Sequence, residues 1–102
     1  MKRKTNKNDE LKKIKPKIVR TLRKYGIKKA GIFGSYVRSE HNQRSDVDIL
    51  VEIKDKKMSL LGFIHIKNEL EAVLRRKVDL VEYKMIRPEL KKTILGEEVR
   101  VI

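Results

Sequence analysis

The chain has 102 residues, no cysteine and no tryptophan, with 40% charged and 39% hydrophobic residues and a formal net charge of +13. That length gives one small domain with a modest core, and the missing cysteine excludes disulfides and thiolate metal sites and suits a reducing cytoplasm. No apolar run approaches the roughly 20 residues of a membrane span, and the positive excess favours polyanionic partners over a membrane: nucleic acid, nucleotide phosphates or an acidic protein surface, beside the lysines that simply solvate the exterior.

Residues 1–7 are rich in Lys and Arg and read as a flexible basic arm, leaving 8–102 as the single domain. Asn8, followed by Asp9 and Glu10, predicts a helix start. Leu11, Ile14, Ile18, Leu22 and Tyr25 recur at three- and four-residue steps and form one apolar stripe. Pro16 interrupts it, so the helix either starts there or kinks, and Gly26 fits its C-terminal cap. Ala30–Phe33 is a short apolar strand, Ser35–Arg38 a helical turn, and 39–44 a polar loop. A second strand follows over Asp46–Ile53. Ser59 predicts the cap of a helix to about Arg75, with Leu60, Phe63, Lys67, Leu70 and Leu74 on one side and Ile64, Ile66 and Val73 completing its apolar face. A third strand over 77–82, a last helix over Pro88–Leu95 stopped by Gly96, and an edge strand over Val99–Ile102 complete the chain. Helices interleaved with strands in this order predict an α/β (α+β) fold, a small mixed sheet with helices packed on it.

The second strand carries the chemistry. Strict alternation puts Asp46, Asp48, Leu50 and Glu52 on one side and Val47, Ile49, Val51 and Ile53 on the other. The β-branched set faces a core. The two aspartates lie about 6.7 Å apart along the strand, a geometry in which both carboxylates can lean toward a hard divalent cation such as Mg²⁺. Asp79 stands among aliphatic residues in the third strand. Taken singly it reads as a paired or edge residue; beside the second strand, about 4.8 Å away, it would reach the same face. Three acids there repel one another unless a cation neutralises them, and two Mg²⁺ ions about 4 Å apart can clamp an in-line phosphoryl displacement. Gly34-Ser35 directly after the first strand is a tight turn that could also bring backbone and a hydroxyl against a phosphate.

Gly34-Ser35, ten intervening residues and then Asp46-x-Asp48 together resemble the signature of the nucleotidyltransferase superfamily that includes DNA polymerase beta. Arg38 and Ser45 match commonly occupied positions within it, and Val78-Asp79-Leu80-Val81 looks like its third-carboxylate strand. The element order is similar to that of the minimal nucleotidyltransferases, antitoxins paired with a HEPN-domain ribonuclease toxin. The resemblance covers nearly the whole chain outside the basic arm. It departs at Ser39, where many relatives carry glycine. It implies a polymerase beta palm-like fold in which Asp46 and Asp48 ligate two Mg²⁺ ions. Asp79 binds the catalytic one and helps deprotonate the acceptor. Gly34 and Ser35, with Ser45 as a further nucleotide-binding position, hold the triphosphate of ATP, and Arg38 stabilises its charge or forms a surface salt bridge. It further implies transfer of AMP to a tyrosine of the HEPN partner, silencing its RNase activity. A non-catalytic antitoxin acting by binding alone, and an RNA-binding or RNA-modifying nucleotidyltransferase, are the rival readings. With no further domain to hold an acceptor, the acceptor is expected to dock on the open sheet as part of another macromolecule, its acidic face complementing the +13 charge.

The remaining polar residues carry less. His41 reads as a solvent-exposed loop residue and His65 as structural, and neither has zinc-ligand company. Tyr25, Tyr36 and Tyr83 read as packing or rim residues in preference to base-stacking platforms, with Tyr36 the one to test for contact with adenine. Asp46-x-Asp48 lacks the glycine and terminal Glu of an EF-hand loop.

Overall fold

The computed structural model describes residues 7–42 and 44–102. Helix α1 spans Lys7–Lys24 and continues through Pro16, so the first helix starts before the proline. Pro16 is exposed, which leaves water free to solvate the Lys12 carbonyl that loses its helical partner. The intrinsic cost of a mid-helix proline, about 3 kcal/mol, is offset by burial of Ile18 and Leu22, both 0% exposed. The helix ends as a paired-turn cap: Gly26 at φ +74 donates to the Arg23 carbonyl while Ile27 donates to Leu22. Lys7 belongs to this helix, and the rest of the expected basic arm, 1–6, lies outside the described residues.

Strand β1 (Ala30–Phe33) pairs antiparallel with β2 (Val47–Val51), and β2 pairs parallel with β3 (Val78–Glu82) across helix α2 (Leu60–Leu74). Helix α3 (Pro88–Glu97) then returns the chain to β4 (Val99–Arg100), antiparallel on the far side of β1. The sheet order is β3-β2-β1-β4, a mixed sheet as expected. Past β4, the amides of Val101 and Ile102 both donate to the Ala30 carbonyl. In register, Ala30, Ile32, Val47, Ile49, Val51, Val78 and Leu80 share one face. They form the core with Ile18 and Leu22 of α1 and Ile66, Leu70 and Leu74 of α2.

Several elements depart from the sequence expectation. β2 begins at Val47, so Asp46 precedes the strand, and Glu52 and Ile53 lie beyond its end. Leu50, on the aspartate side, is fully buried, because Gly31 and Val81 flank it in register and Glu98 lies over Gly31. Gly96 does not stop α3, which runs to Glu97. In α2, Ser59 Oγ accepts from the Gly62 amide at 3.0 Å, as a cap should. The buried stripe, however, centres on Ile66, Leu70 and Leu74, while Leu60 is 74% exposed. Among the described residues no helix is long and apolar enough to cross a membrane.

Candidate active site

The face of the sheet opposite α1 and α2 holds the acids. Phe33, Asp48 and Asp79 occupy one row across β1, β2 and β3, so the two aspartates point the same way from adjacent parallel strands. Asp48 is half-buried and Asp79 exposed. Asp46, one residue before β2, is exposed and lies in a cleft of about 420 Å³ with Arg44, Ser45, Arg75, Arg76 and Lys77. The Asp48 carboxyl is pushed up from 3.8 to about 6, first by burial, then by repulsion from Asp79 and Asp46. Arg38 pulls in the other direction and Glu97 adds to the rise. Asp48 therefore feels both of the other aspartates, although among the described residues no three such side chains are gathered closely enough to form a metal-ligand cluster. Their all-oxygen donor set is the kind that a hard divalent cation takes.

Gly34 supplies the backbone beside Asp48. Its φ is +79, a conformation that side chains rarely adopt, and a Cβ built on it would lie 2.1 Å from Asp48 Oδ2. Only glycine lets the turn sit against that carboxylate. The turn itself is a tight helical one over Gly34–Tyr36, one residue earlier than the expected Ser35–Arg38, with the Gly34 carbonyl accepting from Val37 and Arg38. Ser35 is half-buried and adjoins this backbone. Ser39 takes φ +60, the left-handed region that glycine enters without strain, which accounts for the glycine many relatives carry there and means that Ser39 holds this conformation at a backbone cost.

Glu97, the last residue of α3, is the member of the site that sequence reasoning missed. The Gly34 amide donates to Glu97 Oε1 at 2.9 Å, and Arg38 Nη1 donates to both Glu97 oxygens at 3.1 Å. Arg38 Nε also donates to Glu40 Oε1 at 2.8 Å, so the salt-bridge half of its two expected roles is present. Ser45 is engaged locally: its Oγ accepts from the Asn42 amide at 2.9 Å, closing the loop ahead of Asp46.

One expectation is corrected. His41 is not solvent-exposed. It is 3% exposed, stacked on Tyr36 with ring centroids 3.9 Å apart, and its Nε2 lies 2.9 Å from Glu10 Oε2. Tyr36 is 1% exposed and packs in the core, in keeping with its reading as a packing residue, so it offers no platform for adenine. The polar loop thus folds back onto α1, which its composition alone did not signal.

Residues 16–102 match the polymerase beta nucleotidyltransferase family. A Methanocaldococcus jannaschii protein described as a protein adenylyltransferase is 51% identical over 89 residues, spanning 87% of this chain and 95% of that relative. The protein adenylyltransferase MntA of Thermococcus cleftensis is 45% identical over 78 residues, 76% of this chain and 78% of that one. Among solved structures, a minimal nucleotidyltransferase superposes with a TM-score of 0.76 at 26% identity, covering 93% of this chain and 95% of its own. The fold is also that of the MNT antitoxin complex with tri-AMPylated Shewanella oneidensis HEPN toxin (TM-score 0.69, 22% identity, 89% and 71% covered).

Proposed function

The chain belongs to the polymerase beta nucleotidyltransferase family, and we propose that it is a protein adenylyltransferase antitoxin that moves AMP from ATP to a tyrosine hydroxyl of a HEPN-domain toxin. The observation that carries this reading is the shared row of Asp48 and Asp79 with the Gly34 backbone packed against Asp48. The relatives described as protein adenylyltransferases support the reaction class.

Asp46, Asp48 and Asp79 are the residues that would hold Mg²⁺. When bound, the metal offsets negative charge on the phosphates and on the attacking oxygen. The remaining roles fall to this chain's own groups. The Ser35 hydroxyl and the Gly34 turn bind a phosphate oxygen by hydrogen bonds and orient the triphosphate. Arg38 supplies positive charge at the same turn. Asp79, exposed at the sheet surface, is placed to take the proton of an acceptor hydroxyl on a carboxylate oxygen. An acceptor O–P bond to the α-phosphorus forms, the bond from that phosphorus to the bridging oxygen of pyrophosphate breaks, and the proton leaves through Asp79 to solvent. The open face on which these groups stand lets an acceptor approach as part of a folded partner.

The test is incubation of α-labelled ATP, Mg²⁺ and the toxin encoded beside this gene. Label should appear on toxin tyrosine with wild type and fall at least 100-fold, about 2.7 kcal/mol of barrier, with Asp48→Asn. Undiminished transfer by Asp48→Asn, or none by wild type, refutes the proposal.

A further inference from the structure

We infer that Glu97 is a specificity-determining residue of the nucleotide site, a built-in anion that occupies the phosphate-binding donors and that only a strongly binding polyphosphate displaces. The inference rests on the nucleotidyltransferase reading and extends it to a residue 63 positions from the Gly34 turn. Its basis is geometric. Two donors at that turn, the Gly34 amide and Nη1 of the Arg38 guanidinium, are both engaged by one carboxylate, at 2.9 Å and 3.1 Å. A carboxylate accepting a backbone N–H and a guanidinium through its oxygens makes the contacts that a phosphate oxygen pair would make. Glu97 is 19% exposed in its side chain while Arg38 is 47% exposed, so the pair sits at the mouth of the site, where a ligand can replace the acid and water can receive it.

The position is not explained by cancellation of charge. Glu97 adds to the repulsion that raises the Asp48 carboxyl, so it makes an already acidic site more so. A helix end is also an unfavourable place for a negative charge, since the last carbonyls of α3 carry partial negative charge themselves. What holds Glu97 there is its pair of donors. An incoming anion therefore gains only the difference between its own contacts and those Glu97 gives up. A lone phosphate or AMP, exchanging like for like, gains little. ATP with Mg²⁺ adds contacts that a lone phosphate lacks, its cation meeting the carboxylates of Asp46, Asp48 and Asp79, and the exchange becomes favourable. Glu97 thereby widens the gap between substrate and small anions instead of raising affinity for both.

The experiment is calorimetric titration of ATP with Mg²⁺, and separately of inorganic phosphate, into wild type, Glu97→Gln and Ser35→Ala. Glu97→Gln keeps the side-chain size and can still accept from the Gly34 amide, but loses the charge. Expected is ATP binding at least fivefold tighter in Glu97→Gln than in wild type, about 1 kcal/mol at 1.4 kcal/mol per tenfold, with a larger relative gain for inorganic phosphate. A residue that merely braces the turn would show the opposite, weaker binding on mutation. Unchanged or weaker ATP binding in Glu97→Gln, with Ser35→Ala still impaired, overturns the Glu97 inference and leaves the nucleotide reading standing. No ATP binding by wild type, or full binding by Ser35→Ala, overturns both. Should Glu97→Gln not fold, the Gly34 amide resonance of wild type decides: it should shift as ATP replaces the carboxylate, and a static resonance at saturating ATP refutes the exchange.

Discussion

Replacing Asp48 by Asn should stabilise this protein while destroying its proposed activity, and the sign follows from the site geometry. Asp48 is half-buried between β1 and β3 with Asp79 beside it in register, and its carboxyl is raised from 3.8 to about 6. Between those values the native state holds a proton that the unfolded chain has released, so stability falls as pH rises through the window and the full penalty is present above pH 6. A shift of this size corresponds to about 3 kcal/mol at roughly 1.4 kcal/mol per unit. Solvent at the open sheet face screens part of it, so about 1–2 kcal/mol is expected. For a domain of this size that is a melting-temperature gain of about 4–8 °C per kcal/mol. The assay is thermal and urea denaturation of wild type and Asp48→Asn in EDTA from pH 4 to pH 7.5, reading the difference between the two proteins so that other titrations cancel. The gap should be largest at pH 7.5 and close toward pH 4. Added Mg²⁺ should then raise wild type alone, by about 2.7 kcal/mol at a hundredfold excess over its Kd. An Asp48→Asn protein less stable than wild type at pH 7.5, or a gap independent of pH, refutes the electrostatic account.

Three further substitutions test the frame around the site. Gly34→Ala forces a side chain into φ +79 and against Asp48 Oδ2. It should cost about 1–2 kcal/mol from the backbone and cut label transfer at least 100-fold; wild-type values in urea denaturation and initial rates together would contradict it. Leu70→Ala, at a fully buried α2 position, should cost about 2–5 kcal/mol, whereas Leu61→Ala, 78% exposed in the same helix, should stay within about 0.5 kcal/mol. Equal losses in urea midpoints would mean the packed face of α2 has been misplaced.

Local pattern reached most of the scaffold. The run Ala30–Phe33, bounded by Gly34, is the observed β1 residue for residue, and the two-residue alternation around Asp48 marked the strand that carries it. Alternation assumes one wet face, however, and failed at Leu50. That residue sits beside Gly31, whose missing side chain leaves room that Glu98 fills from α3's end. His41 was misread for a related reason: a polar loop is exposed by default, and only its return to Tyr36 and Glu10 buries it. Gly96 looked like a helix stop because glycine often follows a last turn, yet α3 continues one residue further, and that residue is Glu97. No spacing rule joins Glu97 to Arg38 across 59 positions; the link exists only because α3 returns beside β1. Leu50, His41 and Glu97 all depend on tertiary contacts, whereas the pairing of Asp48 with Asp79 was legible because it follows from strand parity.

The two scales of charge in this molecule make opposite demands on a ligand, and together they define it. At a distance the chain is a +13 cation and draws polyanions toward it. Within about 8 Å, the screening length at physiological salt, a ligand at the open sheet face meets Asp46, Asp48, Asp79 and Glu97, whose repulsion already registers on Asp48. A bare polyanion is attracted and then refused. On the proposed roles, a ligand that brings a divalent cation with its phosphates would satisfy both ranges, the cation meeting the carboxylates and the phosphates meeting Gly34, Ser35 and Arg38. Metal and nucleotide must then raise each other's affinity by the same factor, since the coupling between two bound ligands is reciprocal. ATP should bind weakly in EDTA, and Mg²⁺ weakly without ATP. Equal ATP affinity with and without Mg²⁺ would show that the acids and the phosphate turn do not act on one ligand.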